Sequence, residues 1–187
     1  TCFATVAGSV EPANPVMAFD LLPMHDYFSP GPVLPVSASS GCYWRGCSFC
    51  PEKAEGNEWK PADHRKLLSD VQILKKLLHP RLIHWLDNAL SPSFMRQLIA
   101  CPPGVPWFGF ARFEPFLAEP GVAAGLRRSG CVMLQLGLES GDQAVLDALG
   151  KGILLETAER ILHELHDAGI GTYVYLLFGT PAEDEPA

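Results

Sequence analysis

Leu82-Ile-His-Trp-Leu86-Asp87-Asn88-Ala-Leu-Ser91-Pro92 sets the pattern for the chain: an apolar run of strand length, two polar residues where it stops, and a Ser-Pro pair that opens a helix. Serine accepts from the free N–H groups of a helix start, and proline is tolerated at the first helical position because no partner needs its missing N–H there. Phe94, Leu98 and Ile99 then follow at helical spacing. Strand, polar boundary and helix form one unit, and the unit recurs on both sides of it.

Upstream, Val33 to Ser37 is a short β-prone run that leads through a Ser/Gly stretch into a cysteine cluster. A helix is predicted after it, from Asp63 as N-cap, with Leu67, Val71, Leu74 and Leu78 on one face and Pro80 as its stop. Pro51 to Asn57, between the cysteines and that helix, reads as loop. Downstream, Val105 to Phe110 is a third strand closed by Ala-Arg112-Phe-Glu114-Pro115, and a helical stretch runs to Arg128 and Gly130. Cys131 to Leu136 is a buried strand ending in Gly137-Leu-Glu139-Ser140. A helix with Ala158, Ile161, Leu165 and Ala168 on one face stops at Gly169, and Gly171 to Phe178 is a fifth strand.

Near-continuous apolar strands separated by helices predict parallel pairing through right-handed crossovers, so the fold class is α/β. Asp87, Arg112, Glu139 and Glu183 stand just past the carboxyl ends of strands, where barrels and open parallel sheets gather their chemistry. Taken singly, each acidic residue also reads as a helix cap or a solvated charge.

The 187 residues, 48% of them hydrophobic, suffice for one core. With 14 basic against 21 acidic residues the net charge is −7, spread without blocks, which leaves no electrostatic footprint for duplex nucleic acid or an anionic membrane. The longest apolar runs, such as Tyr173 to Phe178, fall far short of the ~20 residues of a spanning helix. Residues 1–32 contain no Lys or Arg and end in Tyr27-Phe-Ser-Pro-Gly-Pro32, which reads as an extended lead-in or linker, with the core domain over 33–187. Thr1-Cys2-Phe3 offers neither an initiator Met nor a secretory signal, and the expectation is a piece of a longer protein.

Three of the six cysteines crowd into Cys42-Tyr-Trp-Arg-Gly-Cys47-Ser-Phe-Cys50, a C-x4-C-x2-C pattern directly after the first strand. Such crowding suits a metal or redox site better than a disulfide framework, and implies a reducing, cytoplasmic setting. Three readings stay open on the residues alone. Thiolates can hold an iron–sulfur cluster, with one iron left for a ligand from outside the protein. A structural zinc would want a fourth ligand from a remote residue such as Cys101, Cys131 or His84. Cys47-Ser-Phe-Cys50 also matches a C-x-x-C thiol redox site, which would leave Cys42 without a role.

Ser39-Ser-Gly-Cys42-Tyr-Trp-Arg-Gly-Cys47-Ser-Phe-Cys50 resembles the cluster loop of the radical S-adenosylmethionine (radical SAM) superfamily. Leu86-Asp87-Asn88-Ala-Leu-Ser91-Pro92, Ala111-Arg112-Phe-Glu114-Pro115, Gly137-Leu-Glu139-Ser140-Gly141 and Phe178-Gly-Thr-Pro181-Ala-Glu183 resemble its successive strand ends, in the right order. Two departures stand out: the first cysteine gap is four where three is commonest, and Ser40 replaces an Arg that many relatives carry. The lead-in is similar to the branch that often follows a cobalamin-binding domain. The D-x-H-x-x-G cobalamin motif does not occur in these residues, so cobalamin would enter only through a domain outside this chain.

The resemblance implies a partial (β/α) barrel with five of six βα units present, C-terminally incomplete. It implies that Cys42, Cys47 and Cys50 ligate three irons of a 4Fe–4S cluster, and that SAM chelates the fourth and is cleaved to a 5′-deoxyadenosyl radical. Phe49 would pack near the adenine, and Asp87 and Asn88 would meet the methionine amino group. Arg112, Glu139 and Ser140 would meet the SAM carboxylate or ribose. The implied partners are a substrate and an electron donor such as flavodoxin or ferredoxin. His163-Glu-Leu-His166 lacks the spacing of a zinc protease and reads as a solvated helix face; Gly150-Lys151-Gly152 lacks that of a phosphate loop and reads as a helix stop. Trp107, Phe108 and Phe110 read as core or cofactor wall rather than a base-stacking platform.

Overall fold

The structure, a computed structural model, describes residues 26–183 together with Phe19, Leu22 and Pro23. Cys2, most of the lead-in and residues 184–187 lie outside the described residues. Five parallel strands make the sheet: β1 (Val33–Val36), β4 (Leu82–Trp85), β5 (Trp107–Ala111), β6 (Cys131–Glu139) and β7 (Gly171–Leu176). They lie side by side in chain order, each new strand on the same side of the last. A doubly wound sheet reverses direction at a switch point. This one does not, so its strands march as the staves of a barrel do, and the sheet is a partial, unclosed barrel.

The connecting helices are α2 (His64–Leu78), α3 (Pro92–Ala100), α4 (Val122–Arg128) and α6 (Leu155–Asp167). The Asp63 side chain accepts from the N–H groups of Arg65 and Lys66, and Ser91 from Phe94, which places both starts where the sequence predicts them. Leu68, Val71, Phe94, Leu98, Leu126, Ile161 and Leu165 are buried in one core with Leu34, Ile83, Trp85, Trp107, Leu134 and Leu136 of the sheet. Burying a side chain of this size contributes about 1.5–3 kcal/mol.

Alternate residues of each strand face away from the helices, as the two-residue period requires. His84, Phe108, Phe110, Gln135 and Tyr175 are half-buried there and Tyr173 is exposed. His84 stacks on Phe108 at 4.1 Å and Phe110 on Tyr175 at 5.9 Å, while Gln135 donates to the Tyr175 hydroxyl. This open face is the inner wall of the partial barrel. Trp107, by contrast, belongs to the core, its indole N–H donating to the Ser129 carbonyl.

Three features differ from the sequence reading. Pro51–Ala54 forms one helical turn, α1, with Cys50 as N-cap, where loop was expected. Gln143–Ala148 forms α5, capped by Asp142, six residues that are too short for a period to show. Ser39–Ser40 (β2) and Lys60–Pro61 (β3) pair antiparallel and close the base of the cysteine loop. Among the described residues no helix is long and apolar enough to cross a membrane.

Candidate functional site

The cysteine loop runs from β2 to α1 at the carboxyl ends of the strands. Gly41 turns it through a left-handed conformation at φ 70°, where a β-carbon would come within 2.6 Å of the Glu58 carbonyl; only glycine fits. Cys47 is buried, Cys42 and Cys50 are half-buried, and all three thiols are free. The loop is pinned to the segment that follows α5. Ser48 N–H donates to the Leu149 carbonyl at 2.8 Å, and the Trp44 indole N–H to the Gly150 carbonyl at 3.1 Å.

Arg112 ties the loop to the end of β5. It is 6% exposed, and its guanidinium lies 4.2 Å from the Trp44 ring. Nε donates to Glu114 at 2.9 Å, Nη2 to the Lys151 carbonyl at 2.6 Å, and Nη1 lies 4.0 Å from Cys47 Sγ. The Tyr43 hydroxyl donates to the same Glu114 oxygen at 3.0 Å. Burial, reinforced by that carboxylate, pushes the Tyr43 phenol far up and keeps it protonated.

Glu139 ends β6 at φ 75°, after a register shift between Gly137 and Glu139. The irregularity aims its carboxylate at Lys151, 2.9 Å away, with both side chains largely withdrawn from water. Gly137 leaves the room: a β-carbon there would lie 2.5 Å from the Glu139 oxygen and 2.9 Å from Lys151 Nζ. Lys151 Nζ also lies 5.8 Å from the centroid of the exposed Phe49 ring.

Asp87 is 2% exposed and engaged with protein: one oxygen accepts from Ala38 N–H at 2.9 Å, the other from the Ser39 hydroxyl. Burial pushes its carboxyl up and these hydrogen bonds work against the shift. Through them Asp87 fixes the turn from β1 into the cysteine loop. Asn88 is exposed beside it, and the Ser140 hydroxyl accepts from Asp142 N–H. Glu183 accepts from Gly179 and Thr180 N–H and closes the turn after β7.

The structure thus brings Cys47, Phe49, Arg112 and Glu139 into one network. Among the described residues no hydrogen bond or ion pair joins Asn88 or Ser140 to it. Lys151, Trp44 and Tyr43 complete the network and were not singled out from the sequence. The helix-stop reading of Gly150-Lys151-Gly152 holds for Gly150, which follows α5 at φ 63°, but it overlooks the buried lysine. A lysine between two glycines was the available signal.

Among the described residues no three His, Cys, Asp or Glu side chains converge to hold a single metal ion. The remote zinc ligands named above lie elsewhere. Cys131 is buried in β6, which pushes its thiol up to about 12; Cys101 is buried at the end of α3; His84 stacks on the inner wall. A cubane makes a different demand, one ligand on each of four irons, so three thiolates leave one iron for a ligand from outside the protein. Three free thiols on a clamped loop fit it by donor type and number.

A one-directional parallel α/β sheet with its charged residues gathered at the strand ends defines the class: a partial (β/α) barrel. No protein-family model matches the chain. It is 25% identical over 177 residues, 90% of its length, to an uncharacterized methyltransferase of Pyrococcus horikoshii. It is 27% identical over 161 residues, 82% of its length, to the bacteriochlorophyllide d C-12(1)-methyltransferase of Chlorobaculum tepidum. The chain spans 38% and 35% of the length of these two relatives. The cobalamin-dependent S-adenosylmethionine radical enzyme OxsB superposes with a TM-score of 0.63 at 21% identity, over 76% of this chain and 23% of that one. Coproporphyrinogen III oxidase (HemN) from Escherichia coli, a radical SAM enzyme, superposes with a TM-score of 0.52 at 18% identity, over 82% of this chain and 38% of that one. The chain has the fold of the radical SAM core, as its cysteine loop and strand ends led one to expect.

Proposed function

We propose that this chain is the core of a radical SAM enzyme in which Cys42, Cys47 and Cys50 hold three irons of a 4Fe–4S cluster. One observation carries the reading: three free thiols within nine residues stand on a clamped loop after the first strand of a radical SAM-type sheet, beside the charges of Arg112, Glu139 and Lys151. When bound, the cluster and SAM supply reductive cleavage of a carbon–sulfur bond, giving methionine and a 5′-deoxyadenosyl radical.

The chain's own residues bind and orient. Asp87 fixes the loop's approach, Trp44 its seat on the segment after α5. Phe49, exposed, offers an apolar face to the adenine, and Asn88 and Ser140 offer polar groups past the ends of β4 and β6. The Glu139–Lys151 pair presents opposite charges to a ligand that itself carries a carboxylate, an amino group and ribose hydroxyls. A substrate would meet the inner wall, where Phe108, Phe110, Tyr173 and Tyr175 suit a large conjugated molecule better than a small polar one. The Chlorobaculum tepidum relative is named for methyl transfer to a bacteriochlorophyllide. Cobalamin would come from a domain outside this chain, the electron from a flavodoxin or ferredoxin, and the setting would be the reducing cytoplasm.

The test is anaerobic reconstitution with iron and sulfide, read by metal content and by electron paramagnetic resonance of the reduced protein. A cubane signal that changes on adding SAM is expected. Cluster loading that SAM leaves spectroscopically untouched would count against the reading.

A further inference from the structure

We infer that Arg112 is a positioning residue for the cysteine loop and that its fixed charge raises the reduction potential of the cluster the loop holds. The inference rests on the cluster reading above. The sequence resemblance gives Arg112 to the SAM carboxylate, but Nε, Nη1 and Nη2 each already have a partner within the protein. The guanidinium reaches three separate segments: Glu114 past β5, the Lys151 carbonyl past α5, and the cysteine loop at Trp44 and Cys47. With 6% exposure and a planar fork bound along its edges and covered on one face by an indole ring, it cannot swing out toward a ligand without breaking that clamp.

The charge stands close to where electrons arrive. Nη1 is 4.0 Å from Cys47 Sγ, and Cys47 is the one buried thiol of the three. Reduction adds negative charge to a group whose thiolates are already negative, so a buried positive charge at this distance favours the reduced state. Charge, hydrogen bonds to sulfur and burial are the levers by which proteins set cluster potentials. Glu114 opposes the effect, since its carboxylate is 2.9 Å from Nε on the far edge of the fork. Of the other cations around the loop, Lys151 is neutralised by Glu139, while Arg45 and Lys53, whose Nζ donates to the Gly46 carbonyl at 3.4 Å, are exposed to water, which screens their charge. A clamp that only held the loop in place would fix its geometry; this one also fixes a charge, and the two roles separate by experiment.

The measurement is a redox titration of the reconstituted full chain, followed by electron paramagnetic resonance, for the parent, Arg112→Gln and Glu114→Gln. The midpoint potential is expected to move negative in Arg112→Gln and positive in Glu114→Gln, and Arg112→Lys, which keeps the charge, to stay nearer the parent. A merely structural role does not produce shifts of opposite sign. Equal potentials in Glu114→Gln and the parent, or a positive shift in Arg112→Gln or Arg112→Lys, overturn the electrostatic role. The clamp is read in the metal-free protein: Arg112→Gln and Arg112→Lys should raise iodoacetamide labelling of Cys47 several-fold relative to Cys131 in the same sample. Unchanged labelling in both overturns the positioning role. A parent that takes up no iron–sulfur cluster overturns the cluster reading instead, and leaves the labelling to decide the clamp.

Discussion

Lys151 and Glu139 meet at 2.9 Å with side chains only 8% and 14% exposed, so each is the other's main compensation for leaving water. Removing one partner of a buried pair costs about 3–5 kcal/mol, while replacing both costs far less. Lys151→Met should therefore lower the urea midpoint strongly, and Lys151→Met with Glu139→Gln should recover part of the loss; an additive double mutant would show that the pair is not coupled. Glu139 was legible because it closes an apolar strand. Lys151 was not, because its partner lies 12 residues away across α5, a helix too short to show itself. Asp87 was legible as a strand-end carboxylate, whereas its bonds to Ala38 and Ser39 span 49 and 48 residues and have no local trace. His84 was weighed only as a remote metal ligand, and its stacking on Phe108 depends on strand register. Burial holds its imidazole below the ordinary value near 6.5, so it favours the neutral form. As pH falls below about 6.5 the unfolded chain takes up the proton first, and the stability that His84 contributes above that pH is progressively lost. The thermal midpoint should fall between about pH 7 and about pH 5.5, and His84→Gln should flatten that fall; an identical slope in the variant contradicts the assignment.

Among the helices, those longer than the six-residue α5 were readable from period and caps. Asp63 and Ser91 mark helix starts because their oxygens replace missing intrahelical acceptors, and Gly169 follows a helix end at φ 70° because a β-carbon disfavours that conformation. Asp63→Ala should cost about 1 kcal/mol in unfolding free energy, with the two N–H groups of Arg65 and Lys66 left to water. The turn after α5 depends on tertiary contact. Gly152 sits at φ 63° and a β-carbon there would lie 2.1 Å from the Trp44 ring. Gly152→Ala should destabilise by about 1–3 kcal/mol through backbone strain and the displaced indole. Shortening Trp44 to Leu in the same chain should relieve the steric part, which a double-mutant cycle by urea unfolding would read. No improvement in the double variant would mean that the indole does not rest on that turn. The irregularity in β6 was equally hidden, since the extra residue that turns Glu139 toward Lys151 leaves the apolar run of the strand intact.

At the scale of the molecule, strand order was the decisive unknown. Five apolar segments alternating with helices fit a barrel or a doubly wound sheet equally well, and only the resemblance of the cysteine loop chose between them; the uninterrupted order of β1, β4, β5, β6 and β7 agrees with that choice. The loop after β1 reaches past β4 to the ends of β5 and β6, so that residues 42–50, 112–114 and 139–151 can form one site. The central claim is that this site cleaves SAM with an electron from a cluster on Cys42, Cys47 and Cys50. The most direct measurement is the yield of 5′-deoxyadenosine from SAM and reductant by the anaerobically reconstituted full chain, beside the Cys42→Ala, Cys47→Ala, Cys50→Ala and Cys131→Ala variants. The account predicts 5′-deoxyadenosine from the parent and from Cys131→Ala, and none from the three loop variants, each of which lacks one cluster thiolate. A parent that carries the cluster and yields no 5′-deoxyadenosine, or a Cys42→Ala variant that yields as much as the parent, would contradict it.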